Sequence, residues 1–272
     1  MVMSSTNWPI RRSSEDTPLY MSPILGDYSM RGAFVRKVKN KEAFTMSKKE
    51  FWQPWLSTDT VFCRALVGCG YLSEEQMLRA AERYRLGRSR DGGVIFWQID
   101  DQGRTRDGKI MFYRGDCHRD KAHHPDWTSA RMKAYYGYDG DLPVDRCLFG
   151  LHLISHSSRL TPPSSKSIAI VEAEKTAVIM SERYPQYVWM AAGGLSMLTA
   201  EKLRPLSDRH VVLFPDTDPD GKAFDHWQQV AREASRHSLF PVYVSPLLER
   251  QATPQQKAAK IDIVDFLFHP KP

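Results

Sequence analysis

From Ile168 onward, short apolar runs alternate with helical stretches, and this alternation constrains the fold more than any other feature of the chain. Ile168–Val171 reads as a strand, 175–184 as a helix stopped by Pro185, and 187–192 as a strand closing on Gly193-Gly194. A short helix over 199–206 and a third strand over 210–215 follow. A helix over 222–237 then places Ala223, Phe224, Trp227, Val230, Ala231 and Ala234 on one side. A fourth strand over 240–244 and a last helix over 261–268 complete the series. Strands that alternate with helices predict βα units and a parallel sheet, with functional residues at the strands' carboxyl ends.

The upstream half reads differently. Residues 1–50 form a basic arm, in which 1–30 carry six serines and three prolines without periodicity. Between Arg31 and Lys49 there are seven basic residues, Arg36 and Lys37 among them, against the single acid Glu42. Phe34 and Phe44 are interleaved with them and Phe51 follows, a pattern suited to single strands, where bases stack and phosphates pair. A solvated basic face is the plainer alternative. Asp59 is placed to cap a helix containing Phe62, Leu66 and Val67, and Ser73-Glu74-Glu75-Gln76 is a capping-box sequence ahead of Met77, Leu78, Ala81 and Tyr84. Val94–Ile99 predicts a strand, 100–103 a turn and 109–113 a second strand, a hairpin with a long basic tip. The expected organisation is therefore an α+β basic domain over 51–154, a Ser/Pro-rich linker over 155–167 and an α/β domain over 168–272.

Composition narrows the function classes. Hydrophobic residues make up 42% of the chain, enough for a packed core, yet no stretch is apolar for the ~18 residues a membrane helix needs. The first residues lack the apolar run of a secretory signal, so a cytoplasmic protein without membrane partners is expected. Four cysteines are too sparse for a disulfide scaffold, and none form a Cys-x-x-Cys pair, so reduced and mostly buried thiols are expected. A net charge of +6 suits a polyanionic partner.

Glu172 directly follows the first strand of the α/β half, and Asp216, Asp218 and Asp220 follow the third, in Asp216-Thr217-Asp218-Pro219-Asp220-Gly221. Adjacent parallel strands bring the two groups to one sheet edge. Converging carboxylates repel unless a cation neutralises them, and hard oxygen ligands suit Mg²⁺ or Mn²⁺. An isolated Asp-x-Asp also makes ordinary turns and helix caps. A calcium loop of the EF-hand type is excluded, since the Glu that closes it is missing and a strand precedes the acids.

Val171-Glu172-Ala173-Glu174-Lys175-Thr176-Ala177 resembles the first TOPRIM motif, and Asp216-Thr217-Asp218-Pro219-Asp220-Gly221 resembles the second. The resemblance covers roughly residues 166–272. It implies a Rossmann-like parallel sheet with flanking helices, Glu172 in acid/base chemistry or metal binding, Asp216 and Asp218 as metal ligands, and Asp220 as a third. The hairpin around 95–113 resembles the basic subdomain that precedes TOPRIM in bacterial-type DNA primases, most closely those of phages and mobile elements. The implied function is a primase-like nucleotidyltransferase core, which uses Mg²⁺ or Mn²⁺ to join nucleoside triphosphates on single-stranded DNA or RNA in replication. A TOPRIM nuclease and a non-catalytic nucleic-acid- or protein-binding module are the alternatives. Two positions depart from the family pattern: Ala173 stands where Gly is common, and Thr176 where many members have Asp. Neither a zinc ribbon nor a Gly-x4-Gly-Lys-Ser/Thr motif is present, which implies a zinc-ribbon or helicase partner encoded elsewhere.

Lys109, Arg114, Arg131 and Lys133 are expected to reach phosphates from the face opposite the acids, with solvated surface charge as the alternative for each. Cys117, His118, His123 and His124 fit no familiar metal spacing and read as a polar surface loop. Trp52 and Trp55 read as a small core, and Asp262 and Asp265 as residues that cap and solvate the last helix.

Overall fold

Two four-stranded sheets organise the chain. The computed structural model describes residues 55–135, 144–154 and 166–268. The basic segment with Arg36 and Lys37, Trp52, and nearly all of the 155–167 linker lie outside the described residues.

The first sheet is antiparallel, in the order β1 (Gly87–Arg88), β2 (Val94–Ile99), β3 (Thr105–Met111) and β4 (Asp126–Trp127). Two helices precede it, α1 (Val61–Gly68) and α2 (Glu74–Tyr84), and α3 (Thr128–Tyr135) follows. The capping box at α2 forms as expected: Ser73 Oγ accepts from the Gln76 amide at 3.2 Å and Gln76 Oε1 accepts from the Ser73 amide at 2.9 Å. At α1 the cap is Thr60 rather than Asp59. Thr60 Oγ1 accepts from the Cys63 amide, while the Asp59 carboxylate is drawn outward to Arg64 at 2.7 Å.

The hairpin tip also differs from expectation. β3 begins at Thr105, four residues early, and the tip is tight rather than long. Asp100 is the cause. Its carboxylate accepts from the amides of Gln102 and Arg104 and from Nε of both Arg104 and Arg106, folding the basic residues onto the turn.

The second sheet is parallel, in the order β6-β5-β7-β8, with β5 (Ile168–Val171) paired to both β6 (Val188–Ala191) and β7 (Val211–Phe214), and β8 (Tyr243–Val244) at the edge. α4 (Glu174–Arg183), α5 (Ala200–Leu203) and α6 (Lys222–Ser235) are the connecting helices. The strand expected over 240–244 shrinks to two residues, since Pro241 has no amide to donate. Residues 245–260, which carried no sequence expectation, form α7 (Leu247–Gln251) and α8 (Pro254–Ala259), and the last helix is α9 (Ile263–Phe268). No helix among the described residues is long and apolar enough to cross a membrane.

Alternation along the parallel strands feeds two cores. Ile168, Ile170, Met190, Ala192 and Leu213 face α6 through Trp227, Val230 and Ala231. Ala169, Val171, Trp189 and Ala191 face α4 and, beyond it, the antiparallel sheet and α2. This second core runs without a break between the sheets. Tyr84 stacks on Phe149 at 4.9 Å between centroids, and its buried hydroxyl donates to the Trp189 carbonyl at 2.8 Å. Phe149 exchanges both backbone hydrogen bonds with Ala191, so the chain returning from the antiparallel half adds a bridge beside β6. Burying a side chain of this size contributes roughly 1.5–3 kcal/mol.

Candidate functional site

The central position of β5 decides what meets at the sheet edge. Its last residue, Val171, pairs with Ala191 on one side and Phe214 on the other. Glu172 therefore emerges between the β6 turn and the β7 loop. The Gly193 amide donates to the Glu172 carbonyl at 2.9 Å, and the Asp216 amide donates to Glu172 Oε1 at 3.3 Å. Forty-four residues of sequence separation close to a single hydrogen bond.

Glu172 and Asp216 are each half-buried, and neither forms an ion pair among the described residues. Burial pushes the Glu172 carboxyl up, offset in part by the Asp216 amide and reinforced by the charges of Asp218 and Asp262. Burial likewise drives Asp216 well above the usual carboxylate range, with Glu172, Asp262 and Asp265 adding to it and Lys175 opposing. The pair is short of positive charge.

Asp218 has the opposite fate. Partial burial works against its charged form, but the amides of Ala223, Lys222 and Asp220 outweigh it and hold the carboxyl below its ordinary value. Oδ1 accepts from Asp220 and Lys222 at 2.9 and 3.1 Å, and Oδ2 from Ala223 at 2.7 Å. Asp218 thus satisfies the start of α6, and Gly221, at φ +70°, turns the chain into it. Asp220 points outward to Lys222 at 2.6 Å. Of the four carboxylates read from the sequence, the structure joins Glu172 to Asp216, keeps Asp218 beside them as a cap, and leaves Asp220 at the surface. Among the described residues no three Asp, Glu, His or Cys side chains are grouped closely enough to hold an ion between them.

The site also holds an acid that the sequence reading placed at a solvated helix cap. Asp262 does cap α9, accepting from the Asp265 amide at 2.8 Å, but it is buried rather than solvated. Its other oxygen accepts the Thr176 hydroxyl. The only sequence signal was an acid within an apolar run, Ile261-Asp262-Ile263-Val264.

The cations divide. Lys109 pairs across β2 and β3 with Phe96, so the pleat directs both toward the parallel sheet. Its ammonium reaches the Gly193 carbonyl at 2.8 Å and Glu174 Oε2 at 3.1 Å, at the edge where Glu172 emerges. Arg131 does not join it. It lines a cavity of about 210 Å³ with Ile95, Trp97 and Ile110, on the sheet's other face, and is held by Asp91 and Asp126 at 2.6–2.9 Å. That pairing pulls Asp91 down to about 2. Arg114 is exposed and bidentate to Asp116, and Lys133 lies in the last turn of α3. Trp55 lines the same cavity as Arg131. In the 117–124 loop Cys117 is buried, while His118 and His123 are tied to Asp116 and Asp120 at the surface.

A family model described as "Domain of unknown function (DUF6371)" matches residues 61–217, more than half of the chain. The chain belongs to that family. The DUF6371 match takes in both sheets up to β7, and with them Lys109, Glu172 and Asp216. No curated protein matches the sequence. Among solved structures, the primase fragment of the bacteriophage T7 primase-helicase protein is similar at 18% identity and a TM-score of 0.37, over 61% of this chain and 59% of that one. The Aquifex aeolicus primase (zinc-binding and RNA polymerase domains) is similar at 16% identity and a TM-score of 0.37, over 81% and 49%. The chain thus spans three-fifths of the first structure and half of the second.

Proposed function

We propose that this chain is a primase-like nucleotidyltransferase core of TOPRIM type, which joins nucleoside triphosphates on a single-stranded template with Mg²⁺ or Mn²⁺. The observation that carries the reading is the Glu172–Asp216 pair at the carboxyl edge of the parallel sheet. Two half-buried carboxyls that burial and neighbouring acids push upward are expensive to ionise in the isolated protein, and their charged forms become favourable when a cation neutralises them. The motif residues Glu172, Asp216, Asp218 and Asp220 support the same reading from the sequence side.

The donor set fits a divalent cation in part. Among the described residues, Glu172 Oε2 and both oxygens of Asp216 accept no hydrogen bond. Asp218 has used three of its roughly four lone-pair sites and would serve from the side. Asp262, held by Thr176 and the α9 amide, would supply further negative charge. A bound Mg²⁺ or Mn²⁺ would supply charge neutralisation for triphosphate oxygens there.

The chain's own residues do the rest. Glu172, with Oε1 fixed by the Asp216 amide, has Oε2 free to accept the proton of an attacking 3′ hydroxyl, a task suited to a carboxyl whose basicity burial raises. Basic residues of the antiparallel half and the 31–49 segment would track the strand, and a helicase or zinc-ribbon protein would complete the machinery.

The test is to incubate the protein with single-stranded DNA, labelled nucleotides and Mg²⁺ or Mn²⁺ and to resolve products by length. The expected result is template-dependent oligonucleotides, lost in Glu172→Gln and Asp216→Asn. Shortening of a labelled strand without added nucleotide would replace the primase-like reading by a nuclease.

A further inference from the structure

Lys109 and Glu174 form a buried ion pair, and each comes from a different sheet system: Lys109 from β3, Glu174 from the first turn of α4. Their side chains are 10% and 2% exposed. Two of the three ammonium protons are committed, to Glu174 Oε2 and to the Gly193 carbonyl. Gly193 in turn gives its amide to the Glu172 carbonyl. A continuous relay therefore runs from β3 through Lys109 and Gly193 to the backbone of Glu172, whose carboxylate holds the Asp216 amide.

The turn at the centre of this relay has little freedom of choice. Gly193 and Gly194 sit at φ +92° and +149°, where other residues are strained. A Cβ on Gly193 would come within 3.3 Å of Glu174 Oε1, an oxygen with no donor among the described residues. The Lys109 ammonium is the side-chain donor that holds the Gly193 carbonyl in place.

We propose that Lys109 and Glu174 are a positioning pair, which locks the Gly193–Gly194 turn so that Glu172 stays aligned on Asp216. This role rests on the functional reading above and assigns Lys109 a different task from direct grip on a substrate phosphate. A buried pair can also be replaced by apolar side chains without loss of fold, whereas removing one partner strands a charge. Lys109→Met combined with Glu174→Met is therefore the informative variant.

Hydrogen exchange followed by mass spectrometry reads the turn directly. In the double variant the amides of 192–197 and 172–174 should exchange about tenfold faster or more, while α2 and β2 keep their protection. Nucleotide incorporation should lose about tenfold or more in kcat, with KM for nucleotide within about twofold. Should the double variant fail to fold, Glu174→Gln keeps an acceptor for Lys109 while removing the charge, and should give the same exchange and kcat signature at reduced size. Unchanged exchange at 192–197 in the folded variant would overturn the proposal. So would a KM raised about tenfold at unchanged kcat, which is the mark of a phosphate contact. A wild-type protein that incorporates no nucleotide defeats the primase-like reading, and the exchange result still decides whether the pair locks the turn.

Discussion

Asp107 and Asp216 both place carboxylates inside the protein, and the two surroundings could hardly differ more. Asp107 is fully buried on β3 and completely supplied: it accepts from the Gly108 and Ser129 amides and the Thr128 and Ser129 hydroxyls, and pairs with Arg146 at 2.9 Å. Arg146 then lies over the Trp127 ring at 3.7 Å. Asp216 has no comparable supply and faces Glu172, Asp262 and Asp265. The first arrangement fastens β3, α3 and the returning chain together. The second withholds compensation at the edge of a sheet where other carboxyls gather. A buried acid with every lone pair answered is structural, and one left among acids is where the proposed cation would act.

The largest effect should come from breaking the supplied site. Asp107→Ala leaves Arg146 and two hydroxyls without their acceptor and should cost about 3–5 kcal/mol in urea unfolding, independent of divalent cation. A loss that cation restores would erase the distinction between the two sites.

A smaller effect of opposite sign is expected at the starved one. Glu172 and Asp216 have folded-state values above their unfolded ones. The folded protein therefore binds more protons than the unfolded chain in that window. Stability should be greatest near about pH 4 and fall as pH rises through the raised values. Asp216→Asn should flatten the slope and stabilise the cation-free protein at neutral pH. A slope as steep in the variant as in the wild type would show that other groups carry it.

How much of this was legible in the sequence follows from the range of the interactions. The α2 capping box and β2 are local patterns and appear where the sequence puts them. So is the β5–Glu172 junction, and the parallel order follows from strand–helix alternation. Reading failed where one side chain redirected its surroundings. Asp100 gathered Arg104 and Arg106 and turned a long basic loop into a tight turn. Asp218 spent itself on the α6 amides, which no pattern of spacing distinguishes from a ligand. Asp262 looked like a surface cap because its burial depends on Thr176, 86 residues away. Lys109 and Arg131 looked alike in sequence, but the pleat of β3 sends Lys109 to one face of the sheet while α3 holds Arg131 against the other.

The central claim is that Glu172 and Asp216 await a divalent cation. Titrating Mn²⁺ into the protein by calorimetry at neutral pH, beside Asp216→Asn and Asp220→Asn, tests it without assuming any reaction. The wild type and Asp220→Asn should bind alike, with protons released as the carboxyls ionise, and Asp216→Asn should lose binding. Equal binding by the wild type and Asp216→Asn, or none by the wild type, would contradict the account.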